Sequence, residues 1–282
     1  MKNINKILTL SLLMAYLGFG IGGQAFAATS PTLGAVGSYS VLANTTVTNT
    51  GSTTMPGDLG ISTGGQPTGF PPGTVGPPGT IRNAADSLLA QTADTAAFGA
   101  LDQSCTTTYA GTQDLVGLNL VPGVYCAGAF SLSGTLTLSG SGVWIFKSAA
   151  TLITSGTANV VGGSSCDVWW RVVSSATLGT NTSLVGNILA STSISLQTGA
   201  SLNGRALAQT GAVTLDSNTI TGSSCLTTAV KASASGSTTV TPKLPNTGLS
   251  PQIKNGYLWQ DLVAAGSIVA SLSLYIAKKR NI

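Results

Sequence analysis

The stretch from residue 174 to residue 221 repeats nearly the same line of sequence three times. Two apolar positions recur with a period of about 18 residues, one occupied by Leu178, Leu196 and Leu215 and the other by Leu184, Leu202 and Ile220. Short alternating runs at such a period are typical of a β-solenoid, in which each coil buries its apolar side only by stacking on a neighbour. The outward positions are almost all Thr, Ser, Asn or small residues. The repeat therefore predicts a flat, uncharged, hydroxyl-rich surface that suits a repetitive partner.

The amino terminus has the pattern of a secretory signal peptide. Lys2 and Lys6 are followed by an apolar run over residues 7–21 and then by Ala25-Phe26-Ala27, so cleavage is expected after Ala27. A membrane anchor is the alternative, but the apolar run is too short to span a bilayer comfortably.

The carboxyl terminus carries three features whose order is informative about targeting. The motif Leu244-Pro245-Asn246-Thr247-Gly248 is followed by a spacer, an apolar run over residues 262–277 and a basic cluster over residues 278–280. This order resembles the cell-wall sorting signal of Gram-positive bacteria, in which a sortase cuts between Thr and Gly and joins the Thr to peptidoglycan. The resemblance implies a sortase site at Leu244, Pro245, Thr247 and Gly248, with covalent attachment through Thr247. The apolar run would then contact the membrane only transiently. The alternative is a permanent tail anchor.

Charge is scarce in the segment that would remain after both ends are removed. Residues 28–247 hold six basic and seven acidic residues, a net charge of −1, so the formal +4 of the whole chain comes from its ends. There is no His and no Glu. Binding of nucleic acid by counterion release is therefore not expected. The scattered Asp residues also predict neither an enzyme nor a cofactor site, and the low charge favours a neutral, ordered partner.

The mature segment contains four cysteines. An even count in an exported chain allows three pairings, and we predict disulfides Cys105–Cys126 and Cys166–Cys225, each stapling one end of a region. Free thiols are the alternative, since exported Gram-positive proteins often lack disulfides. A zinc site is not expected, because the sequence has no Cys-x-x-Cys pair and no His.

Apolar residues recur at helical spacing in one segment of the mature chain. This segment predicts a single helix over about residues 83–101, with Asn83 as the N-cap and Asp86 three residues further on. Strands resume at Leu115 and continue to Thr221. Runs such as residues 168–173 are bulky at every position, which is typical of strands buried on both faces. We therefore expect the helix to cover that side of the solenoid.

The other two sides of each coil stay exposed in this interpretation. The first side points Thr177, Ser195 and Thr214 outward, because strand residues alternate between faces. We predict that the second side is the functional face, comprising Thr46, Asn159, Thr180, Ser183, Thr198, Ser201 and Thr219. Strand parity does not decide between two exposed sides, so the first side remains the alternative.

Residues 33–221 resemble the ice-binding proteins with a discontinuous β-solenoid fold that occur in bacteria, fungi, diatoms and algae. The resemblance rests on six segments, at residues 57–60, 69–75, 122–125, 143–146, 176–180 and 203–208. It implies an all-β, right-handed, discontinuous β-solenoid of triangular cross-section, with one long α-helix alongside and a top coil supplied out of sequence order by the N-terminal segment. It also implies ice binding through one flat face with a loose Thr-Ala/Gly-x-Thr/Asn motif, which Thr198-Gly199-Ala200-Ser201 approaches.

The sequence thus predicts four regions. They are a signal peptide (residues 1–27), an ice-binding solenoid (28–225), a flexible Ser/Thr/Ala-rich stalk (226–243) and a cell-wall sorting signal (244–282). The expected protein is a secreted monomer, anchored to peptidoglycan, that binds the surface of ice crystals. The alternative is a cell-surface adhesin for carbohydrate or another cell, which an exposed aromatic platform such as Trp169-Trp170 would favour.

Overall fold

The computed structural model describes residues 27–222, which form a β-solenoid of three parallel sheets. A short 3-10 helix, Gly34–Ser38, precedes the first strand, and helix α1 spans Ala84–Ala100. The sequence had predicted a helix at this position. Within residues 27–222, no helix is both long and apolar enough to cross a membrane.

The first sheet has 8 strands and carries α1 on its outer surface. Its strands, in spatial order, are β4 (Asp58–Ile61), β1 (Tyr39–Ala43), β21 (Ala206–Ala208), β18 (Asn187–Ala190), β15 (Val168–Val172), β12 (Trp144–Ser148), β9 (Gly123–Ala127) and β6 (Thr107–Thr108). Alternate residues point in opposite directions. Phe146 and Trp170 lie in the solenoid interior, whereas Ile145 and Trp169 pack in the cluster that includes α1. Burial on both faces, predicted from the bulky runs, is therefore confirmed.

The second sheet has 7 strands and the third has 8. The strands of the second sheet are β2 (Val47–Thr50), β22 (Val213–Asp216), β19 (Ile194–Leu196), β16 (Ala176–Leu178), β13 (Leu152–Thr154), β10 (Ala129–Leu132) and β7 (Thr112–Asp114). Those of the third are β5 (Thr74–Val75), β3 (Thr54–Met55), β23 (Thr219–Ile220), β20 (Ser201–Asn203), β17 (Ser183–Val185), β14 (Asn159–Gly162), β11 (Thr135–Leu138) and β8 (Asn119–Leu120).

The solenoid is discontinuous, because its N-terminal strands stack on its last coil. Strands β1, β2 and β3 pair with β21, β22 and β23, and β4 and β5 extend the first and third sheets beyond them. The coil supplied out of sequence order is therefore present, as the resemblance implied.

Apolar side chains fill the interior in register from coil to coil. Leu178 lies beside Leu196, and Leu184 beside Leu202, as the repeat predicted. At one end of the interior, three aromatic rings form a continuous stack, with centroids 5.5 Å apart between Tyr125 and Phe146 and 4.1 Å apart between Phe146 and Trp170. Full burial of each such side chain contributes about 1.5–3 kcal/mol to the stability of the fold. Because these side chains are buried only between stacked coils, the stacking of coils stabilises the fold rather than any single coil.

Helix α1 is capped at its start and is linked to the first sheet beyond its end. Asn83 caps its start, because the side chain accepts a hydrogen bond from the backbone N–H of Asp86. Beyond its end, a disulfide joins Cys105 to Cys126 in β9, the pairing that the sequence predicted. The second predicted disulfide involves Cys225, which lies outside the described residues, as do the stalk, the sorting signal and nearly all of the signal peptide.

The turn from the second sheet to the third repeats one backbone conformation. Equivalent residues in four successive coils, Thr157, Asn181, Gly199 and Ser217, have φ angles of 62°, 57°, 71° and 53°. This left-handed conformation turns the chain sharply within one residue. The two sheets consequently meet at a narrow corner of constant shape along the solenoid.

Candidate functional site

The outer surface of the second sheet is a broad hydroxyl-bearing surface, here named the second-sheet face. Its central column is aligned by strand pairing and consists of Asp114, Ser131, Ile153, Thr177, Ser195, Thr214, Thr48 and Thr68. Alternation adds an outward column two residues before it, at Ala129, Thr151, Ser175, Ser193, Ala212 and Thr46. It adds another two residues after it, at Ser133, Ser155, Gln197, Asp216 and Thr50, whereas Gly179 at the equivalent position is buried. Three outward positions per coil make this face wider than its neighbour.

The third sheet carries a narrower surface with one unbroken column, here named the third-sheet column. Strand pairing aligns Thr135, Asn159, Ser183, Ser201, Thr219, Thr54 and Thr74. The adjoining outward positions are less uniform, because Val161 and Val185 interrupt a row of Thr and Asn residues, and Val161 is 46% exposed. The third sheet therefore presents a ladder of polar groups rather than a wide polar plane.

The hydroxyl groups at the centre of both surfaces are available to water. Within the described part of the chain, the hydroxyls of Thr177, Ser195 and Thr214 form no hydrogen bond with other protein groups. In the third-sheet column, Ser201 makes only a long bond of 3.4 Å from its Oγ to the Thr182 carbonyl. These side chains are consequently not needed to satisfy the backbone, and their stacking leaves regularly spaced donors and acceptors on the outside.

Most residues of the predicted functional face come together, but one does not. Asn159, Ser183, Ser201 and Thr219 stand in the third-sheet column, as expected. Placing Thr46 beside them was wrong, because Thr46 directly precedes β2 and lies at the edge of the second sheet. The residues that continue the column at that end are Thr54 and Thr74, which were not predicted from the sequence.

Thr180 and Thr198, the other two predicted residues, lie at the corner between the second and third sheets. Both are exposed, and the Thr198 hydroxyl donates a hydrogen bond to the carboxylate of Asp216 in the next coil. That carboxylate also receives a hydrogen bond from Ser217. The corner is therefore a hydrogen-bonded ridge that borders both surfaces.

Buried polar side chains fix the corner from inside. The hydroxyls of Thr154 and Thr182 are 2.7 Å apart, and Thr182 also donates to the Ser155 carbonyl. Further along, the Asn218 amide donates to the carbonyls of Gln197 and Ala200. Satisfied buried networks of this kind rigidify a structure, so both surfaces have a firm backing.

Charged groups mostly lie away from the two surfaces. Asp114 pairs with Ser131 at one end of the central column of the second-sheet face, where its hydrogen bonds with Ser133 and backbone N–H groups outweigh burial and hold its pKa below the usual value. Among residues 27–222, Asp114 and Asp216 are the only charged residues on the two surfaces, and both are half-buried.

The described residues give little support to the rival functions, which are an enzyme and an adhesin. Asp58 forms an ion pair with Arg82 at 2.8 Å, whereas Asp167 is bound to Ser164 and Asp216 to Thr198, so these carboxylates do not form a pair. Residues 27–222 contain no group of three or more His, Cys, Asp or Glu side chains that could hold a metal ion. Trp169 and Trp170 are buried, at 2% and 1% exposure, and cannot serve as an aromatic platform.

Comparison with known proteins gives one consistent result. The family model described as ice-binding-like matches residues 41–221. An ice-binding protein from Nostoc sp. (strain HG1) is 41% identical over 207 residues, covering 70% of this chain and 76% of the relative. One from Flavobacterium frigoris (strain PS1) is 33% identical over 210 residues, covering 67% and 75%.

Solved structures agree with the sequence relatives. The crystal structure of an ice-binding protein from the Antarctic ascomycete Antarctomyces psychrotrophicus superposes with a TM-score of 0.66 at 41% identity, covering 69% of this chain and 99% of that one. An ice-binding protein from an Antarctic biological consortium also gives a TM-score of 0.66, at 36% identity, covering 70% of this chain and 94% of that one.

Proposed function

The chain belongs to the ice-binding-like family, and we propose that it binds ice through the exposed hydroxyl-bearing surface of its solenoid. The observation that carries this proposal is the second-sheet face, a plane three positions wide on which Thr and Ser recur from coil to coil. Its relatives are ice-binding proteins, which supports the expectation that the chain is not an enzyme.

The repeat of the fold suits a crystalline ligand. Neighbouring strands lie about 4.8 Å apart, so hydroxyl and methyl groups recur along the solenoid at a fixed spacing close to that of ice lattice planes. Threonine methyl groups exclude water from a flat surface, and hydroxyl groups between them hold water molecules in place. Each contact is weak, but a rigid array makes many contacts at once and loses little conformational entropy on binding.

Two surfaces compete for the ice contact, and width favours the second-sheet face. That face carries three outward positions per coil, whereas the third-sheet column is one uniform position wide and is bordered by Val161 and Val185. The third-sheet column, predicted from sequence as the functional face, has a different merit. It continues without interruption over seven strands, from Thr135 to Thr74, whereas Ile153 interrupts the central column of the second-sheet face. It stays the second candidate for the contact.

Ser195 and Ser201 provide a matched test of the two surfaces. Both are half-buried outward serines of the same coil, Ser195 on the second sheet and Ser201 on the third. A tyrosine ring at the contacting position would lift the flat surface off the lattice and block neighbouring contacts as well as its own. We expect Ser195→Tyr to abolish ice shaping and thermal hysteresis, and Ser201→Tyr to leave most of both.

The two variants should keep the melting temperature of the parent protein, because outward changes usually cost within about 0.5 kcal/mol. If Ser201→Tyr abolishes activity and Ser195→Tyr does not, the third-sheet column is the ice contact. If the unmutated protein neither shapes a growing ice crystal nor inhibits its growth, the proposed function itself fails.

The alternative function is that of a cell-surface adhesin, which the family assignment does not support. The exposed aromatic platform that would favour an adhesin is not supplied by Trp169 and Trp170, because both rings are buried. The Trp169 indole N–H donates to the Ser30 hydroxyl and that of Trp170 to the Val185 carbonyl. This pair belongs to the packing of the first sheet.

We also propose that the protein is secreted and attached to the cell wall. The support is the order of motifs in the sequence: a signal-peptide pattern before residue 28 and the sorting-signal pattern from Leu244 onward. Wall attachment would hold the ice-binding domain outside the cell, on a stalk at residues 226–243. Replacing Leu244-Pro245 by Ala-Ala is expected to move the protein from the wall fraction to the membrane or the medium. A variant that stays linked to peptidoglycan would show that the sorting signal is not used.

A further inference from the structure

The outer face of α1 is apolar along its whole length. Its exposed residues are uncharged, and they are Ala84, Ala85, Leu88, Leu89, Thr92, Thr95, Ala96, Gly99 and Ala100. Leu88 and Leu89 are 58% and 65% exposed, and Leu89 is the most exposed large apolar residue of the described chain. The solvent side of a surface helix is normally polar and charged. A continuous apolar stripe on this side indicates an interaction surface rather than a scatter of single residues.

We propose that this face binds the same face of a second copy of the chain, with the two helices antiparallel and the two-fold axis at Thr92. An isologous contact of this kind requires a surface that is complementary to itself after a two-fold rotation. Rotation about Thr92 places Leu89 against Ala96 of the second copy and Leu88 against Thr95 of the second copy. It also places Ala85 against Gly99 of the second copy.

Side-chain size favours the antiparallel arrangement. The stripe is bulky in its first half, at Leu88 and Leu89, and small in its second half, at Thr95, Ala96 and Gly99. Antiparallel helices therefore insert each pair of leucines beside the small residues of the partner helix, as ridges pack into grooves. A parallel pair would set leucine against leucine and leave a gap beyond them.

The charges at the two ends of α1 favour the same arrangement. Around its start, Arg82 faces two carboxylates, Asp58 at 2.8 Å and Asp86 at 3.8 Å, which gives a local charge of −1. Around its end, Asp102 faces two cations, Lys147 at 2.6 Å and Arg171 at 3.8 Å, which gives +1. Antiparallel pairing brings opposite ends together twice, whereas parallel pairing brings like ends together.

The dimer would be weak and would leave the ice-binding surfaces open. A contact between two helices is smaller than the roughly 1,600 Å² of a standard interface, so association depends on concentration. Because α1 covers the first sheet, the second and third sheets of both copies stay accessible. This inference departs from the monomer expected from the sequence and does not depend on ice binding.

Cysteine cross-linking tests the geometry even if association is weak. In the full chain, Thr92→Cys places a thiol at the two-fold axis, so mild oxidation should link two copies of this variant rapidly. The matched control is Ala85→Cys, an exposed position of the same helix that would face Gly99 of the second copy. Ala85→Cys alone should link at least tenfold more slowly, whereas a mixture of Ala85→Cys and Gly99→Cys should give the mixed dimer. Equal rates for Thr92→Cys and Ala85→Cys, or no mixed dimer, would overturn the proposal.

Side-chain contacts are tested in the Thr92→Cys background. Replacing Leu88 and Leu89 by Gln should reduce the cross-linking rate at least tenfold, and Asp86→Lys should also reduce it. Val121→Gln is the control, because Val121 is 61% exposed but lies outside the helix. Circular dichroism checks that each variant is folded. An unchanged rate in a folded Leu88/Leu89 double variant would show that the helix face is not the contact.

Discussion

Asp94 lies under α1 in a setting that disfavours its charge. It is 0% exposed, the Gln91 side-chain amide donates to it over a long 3.4 Å, and hydrogen bonding with the Gln209 side chain only partly offsets its burial. Burial raises the pKa of Asp94 from 3.8 to about 7. We predict that this one carboxyl makes the solenoid less stable at neutral pH than at acidic pH, and that Asp94→Asn removes the dependence.

The size of the effect follows from the shift in pKa. A shift from 3.8 to about 7 corresponds to about 4 kcal/mol, at about 1.4 kcal/mol per unit. Because the folded state holds this proton more tightly than the unfolded state, its contribution to stability is complete below about pH 4. It is lost as the pH rises towards about 7 and is constant above that.

Urea unfolding of the parent protein and of Asp94→Asn, measured at about pH 4, 5.5, 7 and 8.5, provides the test. The free energy of unfolding of the variant relative to the parent should rise by up to about 4 kcal/mol between the lowest and highest pH. Asp86→Asn is the control, since Asp86 is a more exposed carboxyl of the same helix. A difference between Asp94→Asn and the parent that does not change with pH would refute the reasoning.

Three further perturbations probe what holds the solenoid together. Asn83→Ala removes the cap of α1 and should lower the free energy of unfolding by about 1 kcal/mol in urea titrations, and no change would mean that the cap bond is not formed in solution. Cys105→Ser opens the disulfide to Cys126, whose sequence separation is 21, and should lower it by about 3 kcal/mol. A parent protein that reacts at Cys105 with a thiol reagent before reduction would argue against that bond. Leu202→Ala removes a fully buried side chain from the third-sheet interior and should lower the melting temperature through a loss of about 2–5 kcal/mol. A loss as small as that of an outward substitution would place this residue outside the core.

The repeat made much of the fold predictable, because leucines that recur at equal intervals are all buried when successive coils stack in register. Leu178 and Leu196 pair in register in the second sheet, and Leu184 and Leu202 in the third. The helix was equally predictable, since the apolar spacing, an Asn cap and an acidic first turn all indicate the same position. Where several local signals coincide, the sequence specifies the element without help from distant contacts.

The candidate site was less predictable at the N-terminal coil. Thr46 stands before an apolar residue, as Asn159 does, but the coil that contains Thr46 has no preceding repeat from which to count its sides. Thr54 and Thr74 begin strands of two residues, too short to show an alternating pattern. Thr54 is placed in the third-sheet column by pairing with β23, more than 160 residues away in sequence, and Thr74 is placed there by pairing with Thr54. Local patterns carry no information about such pairing.

The stacking of β1–β3 on β21–β23 has a consequence for the order in which the protein can be made. Each of these first strands has a partner among the last strands to be synthesised, so one edge of each strand stays unpaired until nearly the whole domain has been made. Contacts between such distant segments are slow to form because a long loop must close first. In a nascent chain that stops before β21, β1 can pair only with β4, and the edge of β1 that faces β21 stays open. The pairing of β1–β3 with β21–β23 therefore depends on completion of the chain and not on the collapse of its first half.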